Sequence, residues 1–306
     1  MSALHRLLHC CFYAAVSLAS IRNAPAALRA ATMHPVLTGV AQQVGGNFVT
    51  VIAIVPPGAD VHHFSPTPSD VKKLAGVAVI FVTGKDMEKN YLDKLRSNLS
   101  AGQQIVEVGR NIPSLKIEPG DATFLCCPDH AKGAIDPHWW NSVENMQRAG
   151  RIIAEAFSAA DSANKDTYKA NAAAWDQRLT ELKKWAKKEI SAIPTGQRKL
   201  ATAHLSLSYF AKEFGFRLVP VQGLNHNTNA TPRELADAIK VIREQKIAAV
   251  FPEQGVNPKY LRQLAAETGV KLAGELIADG NGSGNLASFE AAFKHNVETI
   301  VAVLKP

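Results

Sequence analysis

The chain has 306 residues, of which 46% are hydrophobic and 20% charged, and its formal net charge is +7. This composition excludes a disordered chain, and the length suffices for two domains of ordinary size. The basic residues are scattered, with no aromatic platform or recognition motif beside them, so the positive charge does not indicate nucleic-acid binding.

The first 26 residues have the pattern of a secretory signal peptide. Arg6 precedes an apolar run at residues 10–21, and Ala24-Pro25-Ala26 places small residues where a signal peptidase reads them. The run is too short to span a membrane, and His9 stands where a lipid-attachment motif needs a small residue. A buried N-terminal helix is the alternative, but the run shows no amphipathic pattern. We therefore predict that residues 1–26 direct export and are removed.

Short apolar strands and helices then alternate through the first half of the chain. The strands are predicted at residues 27–32, 48–55, 77–83 and 104–108. The helices are predicted at residues 34–44, 70–75 (capped by Ser69), 87–98 and 141–160. Several strands are apolar on both parities, which is typical of strands buried on both faces. This order predicts a parallel sheet with helices on both faces.

A long loop at residues 111–134 interrupts this order. It contains Cys126, Cys127, Asp129 and His130. Loops of more than ~12–15 residues in compact domains tend to be functional. Adjacent cysteines cannot join distant elements, so we expect no disulfide to hold the fold together.

Residues 164–193 contain no glycine or proline, and their apolar residues recur at spacings of three, four and seven. This pattern predicts a single helix of ~45 Å, longer than one lobe requires. We predict an N-terminal lobe at residues 27–163, a connecting helix at 164–193 and a C-terminal lobe at 194–306.

The C-terminal lobe repeats the alternation of strands and helices. Its strands are predicted at residues 199–203, 217–221, 248–251 and 271–277. Its helices are predicted at residues 204–214, 231–245, 258–268 and 288–304. The predicted fold class is α/β, with two lobes, each a small parallel sheet flanked by helices, joined by one long rigid helix.

Four residues of metal-ligand type follow predicted strands or end the long loop. They are His62, His138, His204 and Asp279, two in each lobe. Because ligands bind at the carboxyl ends of strands in open α/β sheets, a cleft between the lobes would bring all four together. Three imidazoles and one carboxylate suit tetrahedral Zn²⁺, whereas Mn²⁺ is expected to have more oxygen ligands.

Other candidate residues surround these four. Glu253 follows a strand and could accept a hydrogen bond that orients a ligand histidine. We expect His63 to face solvent or to lie behind the ligands. His34 ends the first strand and could point into the cleft, but we expect it to be packed. His130 and His226 are loop histidines that could collect metal.

A secreted zinc-dependent hydrolase is the alternative from another functional class. The chain has no His-Glu-x-x-His helix and no nucleophile elbow. Four protein ligands would also leave no open position for the water that catalytic zinc requires. We therefore expect a binding protein, not an enzyme.

Several segments resemble those of a known family. They are Gly-Ala-Asp-Val-His-His-Phe-Ser-Pro-Thr-Pro at residues 58–68, Asp-Pro-His-Trp-Trp at 136–140, Ala-His-Leu-Ser-Leu-Ser-Tyr-Phe-Ala at 203–211, and Asp279. They resemble the signature segments of metal-binding substrate-binding proteins of bacterial ABC importers, the ZnuA/TroA-like group. The resemblance covers nearly the whole mature chain. It implies a periplasmic, high-affinity receptor that delivers Zn²⁺, as the transported ligand, to an ABC permease.

The resemblance also implies the ligand order His62, His138, His204 and Asp279. Manganese-type relatives have a carboxylate at the third position, so His204 indicates zinc, and a Mn²⁺ receptor of the same fold is the alternative. Val61 and Ser65 replace the usual proline and acid, which leaves the choice between His62 and His63 open. The long histidine-rich loop of many zinc members is missing. The expected partners are the permease and a periplasmic zinc chaperone, with the receptor a monomer.

Overall fold

The computed structural model describes residues 27–56, 58–117, 133–221, 231–280 and 282–306. The predicted signal peptide lies outside these ranges, as do the loop residues Cys126, Cys127, Asp129, His130 and His226. In the part of the chain that the structure describes, no helix is long and apolar enough to cross a membrane.

The N-terminal lobe contains a sheet of four parallel strands in the order β2-β1-β3-β4. The strands are β1 (Leu28–Thr32), β2 (Val49–Ala53), β3 (Val79–Val82) and β4 (Gln104–Glu107). Its helices are α1 (Pro35–Gly45), α2 (Pro68–Lys73), α3 (Leu92–Ser97) and α4 (Val143–Ala160). Every residue of β3 is buried, as its unbroken apolar sequence requires of a strand covered on both faces.

The C-terminal lobe has a second parallel sheet with the same strand order, β6-β5-β7-β8. Its strands are β5 (Lys199–Thr202), β6 (Arg217–Pro220), β7 (Ala249–Phe251) and β8 (Lys271–Leu272). Its helices are α6 (Ser208–Phe214), α7 (Pro232–Glu244), α8 (Lys259–Thr268) and α9 (Phe289–Leu304). In this order the crevice expected to bind ligands lies at the carboxyl ends of the first and third strands of each lobe.

A single helix, α5 (Lys165–Ile190), links the lobes. Its 26 residues span ~39 Å at ~1.5 Å each. The buried side of α5 includes Trp175 and Leu179, and it packs against α1 and α4 of the first lobe and α9 of the second. One buried apolar cluster therefore continues through both lobes. The predicted two-lobed α/β fold with a connecting helix is confirmed.

The helix predicted at residues 87–98 is wrong in its first turn, because α3 begins only at Leu92. Lys85 and Asp86 have φ angles of 54° and 63°, which no helix contains. The buried Glu88 carboxylate accepts hydrogen bonds from the backbone N–H groups of Thr83 and Gly84. These bonds stabilise a tight turn that apolar periodicity alone does not reveal.

Three further predicted boundaries are wrong. Thr67, not Ser69, caps α2, through a capping box with Asp70. The helix predicted from residue 204 begins at Ser208. The strand predicted at residues 271–277 is only Lys271–Leu272. Leu276 pairs with Glu253 in an isolated bridge, and the backbone N–H and C=O of Ile277 bond to the side chain of Asn296 instead of a neighbouring strand.

The packing of α4 on α5 yields a prediction about Gly150. A Cβ added to Gly150 would lie 2.5 Å from Cδ1 of Trp175, so the helices would have to separate or the ring rotate. We expect Gly150→Ala to lower the free energy of unfolding by about 1–3 kcal/mol in urea titrations. Gly196→Ala is the control, since a Cβ there meets nothing within 4 Å. Equal losses in the two variants would contradict this packing.

Candidate metal centre

The side chains of His62, His138, His204 and Asp279 converge in the cleft between the lobes. Each offers one ligand atom, and these four atoms all lie within 4.8 Å of one another. Among the described residues, this is the one group of three or more metal-ligand-type side chains that approach so closely. The first two residues belong to the N-terminal lobe and the other two to the C-terminal lobe.

The distances within the group are uniform. The Asp279 carboxylate lies 3.5 Å from Nε2 of His62, 3.5 Å from Nε2 of His138 and 3.4 Å from Nε2 of His204. The Nε2 atoms of His62 and His138 are 3.3 Å apart. Four ligands at ~2.0–2.1 Å from a tetrahedral Zn²⁺ ion would be separated by ~3.3–3.4 Å. These four separations agree with a small tetrahedral site, and the ligand atoms as a group lie within 4.8 Å of one another.

A turn around Asp60 positions His62. Oδ1 of Asp60 accepts hydrogen bonds from the backbone N–H groups of His62, at 2.9 Å, and His63, at 3.3 Å. The His63 ring bonds to the other oxygen of Asp60 and its side chain is 69% exposed, while that of His62 is 13% exposed. The structure thus places His62 in the group and His63 in solvent.

The turn at Asp136-Pro137-His138 positions the second imidazole. Asp136 accepts hydrogen bonds from the backbone N–H of His138, at 2.9 Å, and from its Nδ1, at 2.7 Å. Because Nδ1 is the donor, the lone pair of the neutral ring is on Nε2, which faces the centre of the group. The ring of Trp140 packs edge-on against His138, and both Trp139 and Trp140 are buried.

His204 is fully buried and is held by Glu253. Its backbone N–H donates to Oε1 of Glu253 at 3.1 Å, and its Nδ1 is in ion-pair contact with Oε2 of the same carboxylate. Burial lowers the pKa of His204, but the charges of Glu253 and then Asp279 outweigh it, so that the pKa lies well above the usual 6.5. The predicted role of Glu253 as an acceptor for a histidine of the site agrees with this geometry.

Asp279 is brought to the site by contacts across the lobes. The carbonyl of Ala278 accepts hydrogen bonds from Nε1 of Trp140, at 2.8 Å, and from the Asn141 side chain, at 2.9 Å. Both donors belong to the N-terminal lobe. The position of the carboxylate relative to His138 is therefore set by two buried bonds between the lobes.

Two cavities open on either side of the group. One, of about 360 Å³, is lined by His62, His138, two lysines and two aspartates (Lys85, Lys89, Asp86 and Asp136). The other, of about 320 Å³, is lined by Asp60 and Asp279 together with several glycines, and contains no lysine or arginine among its lining residues. A cation would meet a more favourable electrostatic environment in the second cavity.

Sequence reasoning missed two carboxylates that hold histidines of the group, Asp60 and Asp136. Each lies two residues before a histidine of the group, where an aspartate can accept from the backbone N–H two residues on. An aspartate two residues before a candidate ligand histidine was therefore the sequence signal that could have identified them. The ligand roles of the four residues stay a prediction, and His130 and His226 lie outside the described residues.

Comparisons with known proteins agree with this architecture. The profile of a family described as "ZnuA: Zinc-uptake complex component A periplasmic" matches residues 31–303. The manganese-binding lipoprotein MntA of Halalkalibacterium halodurans is 30% identical over 280 residues, which cover 90% of this chain and 88% of that protein. The iron-binding protein YfeA of Yersinia pestis is 28% identical over 271 residues, covering 88% of this chain and 84% of YfeA.

Among solved structures, the periplasmic zinc binding protein TroA from Treponema pallidum aligns with a TM-score of 0.79 at 22% identity. The alignment covers 92% of this chain and 100% of TroA. At this identity the likeness concerns the fold: two lobes with a long linking helix.

The raised pKa of His204 yields a prediction for the metal-free protein. Because the folded-state pKa exceeds the unfolded value of 6.5, protonated His204 stabilises the fold below that pH, and the contribution is lost as the pH rises through the folded-state pKa. Glu253→Gln removes the main charge that raises the pKa. We expect it to cost about 2 kcal/mol near pH 5.5, with the difference shrinking toward pH 9.

Urea unfolding in the presence of a chelator measures this difference at each pH. Glu298→Gln, on the exposed side of α9, is the matched control and should change stability little at any pH. A cost of Glu253→Gln that does not vary with pH would contradict the coupling between Glu253 and His204.

Proposed function

We propose that this chain, which belongs to the ZnuA family of periplasmic zinc-uptake components, is a metal-binding receptor serving an ABC importer. The observation that carries the proposal is the convergence of His62, His138, His204 and Asp279, from both lobes, to within 4.8 Å of one another. These four side chains are the proposed ligands of one divalent transition-metal ion, which is the transported cargo.

We infer that the preferred ion is Zn²⁺. Three imidazole nitrogens and one carboxylate form a donor set that zinc binds in tetrahedral geometry. The separations of 3.3–3.5 Å among the measured atom pairs fit that geometry. Asp136 and Glu253 support this choice, because a carboxylate on Nδ1 increases the donor strength of the imidazole.

A Mn²⁺ receptor of the same fold is the second candidate. Relatives named as manganese-binding lipoproteins share 30% and 31% identity with this chain over 280 and 278 residues. Mn²⁺ prefers more oxygen ligands, so it would need both oxygens of Asp279 or added water. Direct competition between the two metals distinguishes the candidates.

The proposed receptor has no catalytic role, because four protein ligands leave no coordination position for an activated water. We propose that it acts outside the cytoplasmic membrane, as a monomer, and passes its ion to a membrane permease, and that a zinc chaperone could supply the ion. All four ligands come from one chain, which supports a working monomer.

Curated relatives are named lipoproteins, so mass spectrometry of the exported protein would separate lipid anchoring from cleavage near residue 26.

The test of this function is titration of the chelator-treated protein with Zn²⁺ and Mn²⁺ by calorimetry, followed by competition between them. We expect one ion bound per chain, with Zn²⁺ displacing Mn²⁺. Uptake of neither metal would overturn the receptor proposal, whereas preferential retention of Mn²⁺ would overturn only the choice of zinc.

The adjacent histidines His62 and His63 provide a matched pair of variants. We expect His62→Ala to weaken metal binding by about 100-fold or more, because one ligand is lost from a closed site. His63→Ala should alter affinity less than about threefold, since its side chain faces solvent and contacts Asp60. Comparable losses in both variants would refute the assignment of His62.

Protons should compete with the metal for the three imidazoles. We expect affinity to fall by more than about tenfold between pH 7.5 and pH 5, because only neutral imidazole binds a metal ion, and the raised pKa of His204 makes the metal compete with a proton throughout this range. Isothermal titrations in buffers of matched ionic strength measure the change. An affinity that stays constant over this range would be incompatible with histidine ligation.

A further inference from the structure

His34 is a histidine beside the proposed site that the ligand set does not include. It is 1% exposed and lies at the N-terminus of α1. Its Nδ1 accepts a hydrogen bond from the backbone N–H of Val36 at 3.3 Å. The proton of the neutral ring is therefore on Nε2, and Nε2 has no hydrogen-bond partner among the described residues. A buried donor without an acceptor is costly, so its retention requires an explanation.

The surroundings of His34 are the segment that carries Asp279. The His34 ring packs on the ring of Trp140, with centroids 4.3 Å apart, and Trp140 donates to the carbonyl of Ala278. Next in sequence, Pro35 lies against Gly280, since a Cβ built on Gly280 would be 3.6 Å from that of Pro35. His34 and Pro35 thus contact the residues on both sides of Asp279, directly or through Trp140.

The ring of His34 remains a neutral donor at physiological pH. Burial lowers its pKa to about 3, and the charge of Asp279 is the principal influence that opposes this shift. The contacts of His34 through Trp140 with Ala278, and of Pro35 with Gly280, place the ring beside the segment that carries Asp279. The described distances also show that both oxygens of Asp279 face the histidines, Oδ1 toward His138 and Oδ2 toward His62 and His204.

A metal ion makes the two Asp279 oxygens unequal. A four-coordinate ion takes one oxygen, which leaves the other able to accept a hydrogen bond or to join the first on the ion. If both oxygens of Asp279 bind the ion, its coordination number rises, which suits Mn²⁺ better than Zn²⁺. The alternative is a hydrogen bond to the second oxygen, and the buried Nε2–H group of His34 is the donor that could form it.

We propose that His34 is a specificity-determining residue whose Nε2–H donates to the second oxygen of metal-bound Asp279, keeps that carboxylate monodentate and so favours four-coordinate zinc. This inference rests on the proposed function. It gives the orphaned donor of His34 its acceptor in the metal-bound state. It also assigns discrimination between metals to a residue that does not touch the ion.

The test uses three substitutions of His34. His34→Asn retains an acceptor for the Val36 N–H, so it preserves the cap of α1 but removes the distal donor. His34→Gln extends an amide N–H to about the position of Nε2, and His34→Phe retains the ring on Trp140 but neither polar atom. His295→Asn is the control. His295 lies on α9, and its ring contacts the backbone carbonyl of Glu275 and not the proposed ligands.

For each variant, competitive titration gives the ratio of Zn²⁺ to Mn²⁺ affinity, and X-ray absorption at the zinc edge gives the coordination number. We expect the ratio to fall about tenfold in the Asn and Phe variants, as for loss of one hydrogen bond to a charged group. The zinc coordination number should rise in parallel. The Gln variant and the control should stay within about threefold of the unsubstituted protein.

Thermal unfolding of the metal-free variants shows whether each is folded, and the Asn variant keeps the test decisive if the Phe variant is not. An unchanged ratio and coordination number in a folded His34→Asn protein would overturn the inference. That result is distinct from failure of the receptor proposal, in which the unsubstituted protein itself would take up neither metal.

Discussion

The site depends on the buried hydrogen bonds that join the two lobes at their interface. Nε1 of Trp140 and the amide of Asn141 reach across it to the carbonyl of Ala278, and the hydroxyl of Tyr209 donates to the carbonyl of Asp136 at 3.0 Å. These donors are buried, and a continuous apolar cluster surrounds them. The residues proposed to bind metal are therefore held near one another before any ion arrives, which reduces the ordering cost of binding.

Buried carboxylates behind the imidazoles complete this arrangement. Asp136 and Glu253, each 1% exposed, hold Nδ1 of His138 and His204 and direct the opposite nitrogens toward Asp279. Burying acids without countercharge is unfavourable, so such groups are retained where they are paired or where a cation neutralises them. A dication in the cleft would balance most of the charge of these carboxylates, and the same charges raise the pKa of His204.

Much of the fold followed from patterns that depend on local sequence. Apolar runs located the strands, and the unbroken stripe from Tyr168 onward identified α5, because both reflect burial directly. Two of the errors concern segments whose backbone bonds to side chains: the turn held by Glu88 and the segment held by Asn296. Such bonds join residues that the periodicity of apolar residues cannot relate. The role of Glu253 as an acceptor was predicted only because this residue follows a strand.

The shared helix α5 has a mechanical consequence. A helix of 26 residues whose buried side packs against helices of both lobes acts as a rigid support between them. A hinge motion that opened the cleft would bend α5 or expose apolar surface to water, at a free-energy cost of roughly 25 cal/mol per Å². Small rearrangements at the rim, in loops such as that around Asp60, are the less costly way for cargo to pass.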